Sequence, residues 1–269
     1  MTTGPRLAGR VAIVVGAGQT PGETVGNGRA AAITFAREGA RLLLADRDAE
    51  SLAETAALTE AEGAEVATVV ADISQTDDPD HIVQAAVDAY GGVGILHNNV
   101  GIGSAGDGTP QRLTDDAFDL IMNVNLRAMW RTCRAAVPLL RQSEHGAIVN
   151  ISSLAAIASA GNLTAYKLSK AGVNALTQNL AITNAHHGVR ANGIMPGFID
   201  TPMAVDQVAR VLDADRAAVA SFRASSVPLG RQGTAWDVAN AALFLVSDEA
   251  AFITGVVLPV DGGQAARVG

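Results

Sequence analysis

The chain has one cysteine and no excess of basic residues, and each shortage argues against a class of site or partner. Cys133 is the single cysteine among 269 residues, so an intrachain disulfide and a multi-cysteine zinc site are both excluded. Its helical neighbours favour a buried apolar role for the thiol. Lys and Arg number 19 against 27 Asp and Glu, giving a net charge of −8. That acidity disfavours nucleic acid and anionic membranes as partners.

Long apolar runs and metal-binding motifs are also missing. No run reaches the roughly 18 apolar residues needed to cross a bilayer, and the polar first residues do not resemble a signal peptide. The five histidines lack the spacing of a metal site, so no metal is predicted. Hydrophobic residues nevertheless make up 48% of the chain, which excludes wholesale disorder. We expect a cytoplasmic protein with a single domain over residues 1–269.

Short apolar runs alternate with helical patterns along the chain. Strands are predicted at Arg10–Val15, Arg41–Ala45, Glu65–Val70, Gly94–His97, Ala147–Asn150, Val189–Ile194 and Val256–Val260. Helices are predicted at Asn27–Glu38, Asp48–Glu62, Pro79–Tyr90, Thr114–Arg141, Thr164–His187 and Ala235–Val246. This alternation predicts an α/β fold with one Rossmann-like, doubly wound, seven-stranded parallel sheet and helices on both faces. Pro259 should place the last strand at an edge of the sheet.

One long irregular region, approximately residues 198–233, interrupts the alternation. It contains an isolated helical piece at Val205–Phe222. Long segments of this kind are usually lids or binding loops. We therefore expect it to cover a substrate.

The first strand runs into a glycine-rich loop that suits a dinucleotide. Gly16 ends the strand, and a helix begins near Gly26 and Gly28, so backbone N–H groups and a helix dipole can face a pyrophosphate. Asp46 ends the second strand, where a carboxylate binds ribose hydroxyls and repels a 2′-phosphate, which favours NAD. Arg47 beside it could hold that phosphate, so NADP stays possible.

Tyr166 and Lys170 lie four residues apart in a predicted helix and therefore share a face. A free phenol has a pKa of about 10 and is a poor base at neutral pH. A nearby ammonium and a positively charged nicotinamide ring would lower that pKa, so Tyr166 could exchange a proton with an alcohol or ketone. The alternative is a surface tyrosine one turn from a solvated lysine.

These motifs resemble the short-chain dehydrogenase/reductase family over almost the whole chain. The family's loop, T-G-x-x-x-G-x-G followed by R-A, corresponds to Gly16 and to Gly26-Asn27-Gly28 with Arg29-Ala30. Six extra residues lie within positions 17–25, and Asn27 replaces a usual apolar residue. We expect this insertion to bulge outward, with Glu23 away from the pyrophosphate.

The resemblance implies further cofactor contacts at the carboxyl ends of strands, where open α/β sheets bind ligands. The implied set follows the third, fourth and sixth strands: Asp72 and Ile73 at adenine, then Asn99, Val100 and Gly101, then Pro196, Gly197, Ile199 and Thr201 at the carboxamide, with Tyr166 and Lys170. His97 stands where the family has an apolar residue. We expect a packed or hydrogen-bonded histidine there rather than a catalyst.

The resemblance also implies a catalytic tetrad. Ser153 precedes Tyr166 at the family's spacing and would orient the substrate oxygen, with Ser152 as the adjacent alternative. Lys170 would tune the phenol and anchor a ribose. Asn125 would hold a proton-relaying water. Asn123, two residues earlier, is not expected to have this role.

The predicted function is an NAD-dependent oxidoreductase that transfers a hydride between nicotinamide and a secondary alcohol or ketone. Apolar side chains in the lid and after Ser153 indicate an uncharged, partly apolar small molecule. The alternatives are an NADP-dependent carbonyl reductase, a dehydratase or epimerase, and a non-catalytic nucleotide sensor. The resemblance further implies a homotetramer with Thr114–Arg141 and Thr164–His187 at its main interface.

Overall fold

A seven-stranded parallel sheet forms the centre of the computed structural model, which describes residues 4–103, 106–158 and 162–267. Its strand order is β3-β2-β1-β4-β5-β6-β9. The strands are β1 (Val11–Val15), β2 (Arg41–Asp46), β3 (Val66–Val70), β4 (Ile95–Asn98), β5 (Ala147–Ile151), β6 (Arg190–Pro196) and β9 (Val257–Val260). A separate ladder pairs β7 (Ile199–Asp200) with β8 (Gly233–Thr234). The doubly wound parallel sheet is confirmed, and β9 does lie at an edge.

Helices cover both faces of the sheet. They are α1 (Asn27–Arg37), α2 (Ala49–Ala61), α3 (Asp78–Tyr90), α4 (Asp115–Met122), α5 (Ala128–Leu140), α6 (Thr164–Asn184), α7 (Gln207–Leu212), α8 (Arg216–Ser225) and α9 (Ala235–Val246). Within the described residues, no helix has the length and apolarity that a membrane crossing requires.

The central strands are apolar on both faces because helices bury both. Every residue of β1 and β5 is buried. Phe35 and Leu44 belong to the core on one face, whereas Ile13 and Leu96 belong to the core on the other. Each such side chain contributes about 1.5–3 kcal/mol when fully removed from water. This double core holds the carboxyl ends of the strands in fixed register, and the candidate site lies at that end.

Two predicted helices are not continuous. The segment predicted as Thr114–Arg141 contains a π-helical turn at Asn123–Arg127 between α4 and α5. The piece predicted as Val205–Phe222 is divided into a π-helical turn at Pro202–Asp206, α7 and α8. Asp213 adopts a left-handed conformation (φ 49°) that ends α7. Asp215 then caps α8 by accepting the Ala218 N–H at 3.0 Å.

Candidate active site

Tyr166 and Lys170 lie on one face of α6, as their spacing predicts. The Lys170 Nζ lies 5.8 Å from the centre of the Tyr166 ring and donates a hydrogen bond to the Ile151 carbonyl at 2.9 Å. Lys170 is only 2% exposed. Burial disfavours the ammonium and lowers the pKa of Lys170 to about 8. The buried amine therefore loses its proton more readily than a lysine in water.

The phenol of Tyr166 is half-buried beside Ser153. Burial raises the pKa of Tyr166, and the hydroxyl of Ser153 partly opposes that shift. In the protein alone, the amine therefore does not produce the lowered pKa that the sequence suggested. A lowered pKa of Tyr166 requires further positive charge nearby, such as that of a nicotinamide ring.

Ser153 and Ser152 follow β5 but have different surroundings. The Ser153 Oγ accepts the Ala155 N–H at 3.2 Å and caps a short 3₁₀ turn that begins beside Tyr166. Ser152 is 3% exposed, and its hydroxyl donates to the Lys170 carbonyl at 3.0 Å. The Ser152 side chain is thus bound to the backbone of α6, which favours Ser153 as the group that meets a ligand.

Asn125 lies in the π-helical turn between α4 and α5 and is fully buried. Its Oδ1 accepts the Ile102 N–H at 2.8 Å, and its Nδ2 donates to the Ile102 carbonyl and to Ser169 Oγ. Asn123 instead donates to the Ser74 carbonyl at 3.1 Å. Asn125 therefore ties the segment after β4 to α6, whereas Asn123 contributes to another part of the molecule.

The glycine loop begins and ends at one tight backbone contact. Gly16 has a φ of 82°, and a Cβ added there would lie 2.8 Å from the Val100 side chain. A Cβ added at Gly28 would overlap the Gly16 carbonyl oxygen. Gly26 caps α1, and the Gly26 N–H donates to Gln19 Oε1 at 2.9 Å. Asn27 follows in the first turn of α1, where its side-chain Oδ1 is buried without a hydrogen-bond partner.

Asp46 ends β2 beside this loop. Its Oδ2 accepts the Gly18 N–H at 2.8 Å, and its Oδ1 accepts the Asp48 N–H at 3.1 Å. Arg47 is exposed to solvent. The carboxylate thus lies at the carboxyl end of β2, beside the glycine loop.

The residues after β3 and β4 also line the carboxyl end of the sheet. The Asp72 Oδ1 accepts the Ser74 N–H at 3.0 Å, and Ile73 beside it is buried. The Asn99 Nδ2 donates to the Gly16 carbonyl at 3.1 Å. A Cβ added at Gly101 would lie 2.8 Å from Lys170 Nζ. These contacts bring the segment after β4 between the glycine loop and α6.

The loop after β6 is held by a hydrogen bond to the end of β9. Pro196 ends β6, and the Gly197 N–H donates to the Val260 carbonyl at 3.0 Å. Ile199 is buried in the β7–β8 ladder. The Thr201 Oγ1 accepts the Ala204 N–H at 3.3 Å and caps the π-helical turn that follows. Its hydroxyl therefore has a structural role besides any contact with a carboxamide.

Asp107 is a residue at this site that sequence reasoning missed. Its Oδ1 accepts the Ala165 N–H at 3.0 Å, and its Oδ2 accepts the Tyr166 N–H at 3.1 Å. A carboxylate from a distant loop therefore caps the helix that carries the phenol and amine. No local pattern could have revealed a cap so far away in sequence.

The residues at the carboxyl end fit a dinucleotide. Gly16, Gly28 and Gly101 let the glycine loop, α1 and the segment after β4 pack closely together, because a Cβ at any of the three would collide with its neighbours. The α1 N-terminus suits a phosphate, and Asp46 suits ribose hydroxyls. In the described part of the chain, no cluster of three or more His, Cys, Asp or Glu could hold a metal ion.

Comparison with known proteins gives consistent matches along the chain. A family model described as enoyl-(acyl carrier protein) reductase matches residues 23–265. A levodione reductase from Leifsonia aquatica is 35% identical, covering 97% of this chain and 96% of that protein. A 2,5-dichloro-2,5-cyclohexadiene-1,4-diol dehydrogenase from Sphingobium indicum is 34% identical, covering 98% of this chain and 99% of that protein.

Among solved structures, the carveol dehydrogenase from Mycobacterium avium in complex with NAD is similar to this chain. The TM-score is 0.89 at 29% identity, and the match covers 98% of this chain and 100% of that one. Because these matches extend over nearly the whole chain, the similarity includes the entire carboxyl end of the sheet.

Proposed function

This chain belongs to the short-chain dehydrogenase/reductase family of oxidoreductases, and we propose that it transfers a hydride between NAD and the carbinol carbon of a secondary alcohol. The observation that carries this proposal is the grouping of Tyr166, Lys170 and Ser153 at the carboxyl end of the sheet. A bound nicotinamide ring would supply the hydride acceptor or donor that no side chain can provide.

In the proposed reaction, Tyr166 accepts the hydroxyl proton of an alcohol, or donates it to a ketone in the reverse direction. Ser153 donates a hydrogen bond to the substrate oxygen and holds it beside the phenol. The Lys170 ammonium binds a ribose hydroxyl and, together with the positive charge of the nicotinamide ring, favours the phenolate. Asn125 keeps the segment at residues 101–103 against α6 and holds the water through which the proton reaches solvent. Asn125, Ser153, Tyr166 and Lys170 form the proposed catalytic tetrad.

The proposed cofactor contacts surround this tetrad. Phosphate binding is assigned to the Gly16–Gly28 loop, including Gly26 and Asn27, and ribose binding to Asp46 with Arg47 beside it. The remaining contacts are assigned to Asp72 and Ile73, to Asn99, Val100 and Gly101, and to Pro196, Gly197, Ile199 and Thr201. The Asp46 carboxylate supports NAD over NADP because a 2′-phosphate would approach it as a like charge.

We assign an uncharged, partly apolar alcohol or ketone as substrate. Ile157, after Ser153, is 57% exposed, and Met203, after Thr201, is 45% exposed. The names of the levodione reductase and the diol dehydrogenase indicate ketone and alcohol chemistry in relatives. Phe222 and Val211 in the same region are 73% and 77% exposed, so they belong to the outer surface of the lid rather than to a pocket within one protomer.

We also propose that the protein assembles as a homotetramer. Exposed apolar side chains occur on the helices that the resemblance places at an interface: Leu120, Trp130, Leu168 and Ile182. The molar mass measured by light scattering should be close to four times 27.4 kDa.

A panel of secondary alcohols with NAD⁺ or NADP⁺ tests the proposal, with absorbance of the reduced nicotinamide as the readout. We expect turnover with NAD⁺ and at least one uncharged alcohol. Turnover with NADP⁺ alone would support the carbonyl-reductase alternative. Tight binding of the dinucleotide without turnover of any substrate would support nucleotide sensing instead.

A further inference from the structure

Arg216 binds carboxylates from three separate segments. Its guanidinium lies 2.7 Å from Asp200 Oδ1, 3.2 Å from Asp206 Oδ1 and 3.4 Å from Glu23 Oε2. Asp200 belongs to β7, and Asp206 to the π-helical turn at Pro202–Asp206. Glu23 belongs to the insertion in the glycine loop. One side chain at the start of α8 therefore joins three segments that are distant in sequence.

The insertion contacts the lid independently of this arginine. The Glu23 N–H donates to Asp206 Oδ1 at 3.1 Å, and Arg210 of α7 donates to the Pro21 carbonyl at 2.5 Å. Gly22 lies so close that an added Cβ would be 2.7 Å from Asp206 Cγ and 2.8 Å from Pro202 Cβ. The extra residues thus fold onto the lid, and Glu23 faces Arg216.

Asp206 depends on Arg216 for its counter-charge. Asp206 is 8% exposed, and its Oδ2 is buried without a hydrogen-bond partner. A buried carboxylate is costly unless a counter-charge accompanies it. Without Arg216, the Asp200, Asp206 and Glu23 carboxylates would repel one another and would oppose a neighbouring pyrophosphate.

We propose that Arg216 is a positioning residue that fastens the glycine-loop insertion (17–25) to residues 202–225 of the lid over the bound dinucleotide and so sets how slowly the cofactor leaves. This inference rests on the proposed function for the identity of the ligand. The contact between the two segments is a property of the protein itself. Hydride transfer does not involve Arg216 directly, because the guanidinium is bound to the three carboxylates.

Release of NADH measured by stopped-flow fluorescence tests the proposal. In Arg216→Gln, we expect the release rate and the Kd for NADH to rise about ten-fold or more, the size of effect that about 1.4 kcal/mol produces. The single-turnover rate of hydride transfer at saturating cofactor should stay within about two-fold of the wild type, since Arg216 holds the cofactor without taking part in the reaction.

Three further variants separate this role from general destabilisation. Gly22→Val keeps every charge but forces the insertion away from Pro202, so it should also speed NADH release. Glu23→Gln removes one exposed partner and should have a smaller effect in the same direction. Arg10→Gln is the matched control, because Arg10 pairs with Asp248 at 2.6 Å near the amino end of the strands and should leave release unchanged.

Hydrogen exchange in the protein without cofactor provides a second readout. Arg216→Gln should increase exchange at residues 17–25 and 202–212 together, whereas Arg10→Gln should not. Unchanged NADH release and unchanged exchange in Arg216→Gln would overturn the proposal. If the wild type binds neither dinucleotide, the proposed function is wrong, and hydrogen exchange alone decides whether Arg216 fastens the two segments.

Discussion

The Lys170 amine lies 5.8 Å from the centre of the Tyr166 ring and is anchored to the Ile151 carbonyl at 2.9 Å. This contact joins the end of β5 to the face of α6 that carries Tyr166. Ser153 follows the same strand, so one strand end positions both the amine and the hydroxyl beside the phenol. Burying the Lys170 amine costs free energy, because burial disfavours its charged form.

Replacing this lysine should stabilise the protein while abolishing activity. The pKa of Lys170 is about 8 in the folded protein against 10.5 as the ordinary value. The unfolded chain therefore binds more protons between these values, and the free energy of unfolding rises as pH increases from 8 to 10.5. At pH 7, Lys170→Met should raise the free energy of unfolding by about 1–2 kcal/mol, after allowing for the Ile151 carbonyl that loses its hydrogen bond.

Chemical denaturation of Lys170→Met at pH 7 and pH 10 measures this effect. The gain over the wild type should shrink at the higher pH, where the wild-type amine is neutral. Lys167→Met is the matched control, since Lys167 lies on another face of α6 and bonds to the Ala158 carbonyl. An equal gain at both pH values would contradict the assigned burial penalty.

His97 should weaken the fold in acid. It is fully buried on β4 against Phe35, and neither ring nitrogen has a hydrogen-bond partner. Burial lowers the pKa of His97 to about 4 from an ordinary 6.5. The unfolded chain takes up the proton first, so the free energy of unfolding falls as pH drops from 6.5 to 4, by up to about 3 kcal/mol.

His97→Leu should remove this loss and stabilise the protein by about 1 kcal/mol at neutral pH. Urea unfolding at pH 7.5 and pH 5 measures both effects. His81→Gln, at an exposed position, should leave the pH dependence unchanged. A leucine variant with the same acid sensitivity as the wild type would show that another group causes it.

Asp46 should govern the choice between cofactors. Asp46→Ser removes the charge that opposes a 2′-phosphate and leaves Arg47 able to pair with it. The ratio of kcat/KM for NAD⁺ to that for NADP⁺ should fall by about ten-fold or more, equivalent to about 1.4 kcal/mol. Adding Arg47→Gln should reverse the gain with NADP⁺. A ratio that does not change in Asp46→Ser would assign the discrimination to other residues.

Asp107 should act through the backbone of α6, the helix that carries Tyr166. Asp107→Ala removes acceptors for two N–H groups of α6 and should cost about 1 kcal/mol of stability. Because one of those groups belongs to Tyr166, kcat should fall about ten-fold with little change in substrate KM. Asp107→Asn keeps an acceptor and should recover most of kcat. Asp237→Ala weakens the capping box of α9 and should lower stability without this loss of kcat.

Much of the fold could be predicted because its signals are local. Continuous apolar strands, glycine stops and proline at an edge identified the parallel sheet. The breaks in two helices could not be predicted from local sequence, because they depend on distant partners. Asn125 is held by Ile102 and Ser169, and Asp206, in the π-helical turn at Pro202–Asp206, accepts the Glu23 N–H.

The candidate site could be predicted only in part, for the same reason. The i, i+4 spacing of Tyr166 and Lys170 is a local signal, and it places them on one face of α6. The capping of that helix by Asp107 depends on tertiary folding, as does the meeting of Glu23 and Arg216. The glycines on either side of the insertion match the family's motif. The motif has no counterpart of the inserted residues, so it could not predict that they fold onto the lid.

The activity of Tyr166→Phe tests the central claim most directly. Removing only the phenolic oxygen should lower kcat by about 10²–10⁴-fold, the usual contribution of general acid–base catalysis. NADH binding should stay within about three-fold of the wild type, because the glycine loop and Asp46 are untouched. Turnover by Tyr166→Phe at the wild-type rate would contradict the account, since the proton would then have to pass through another group.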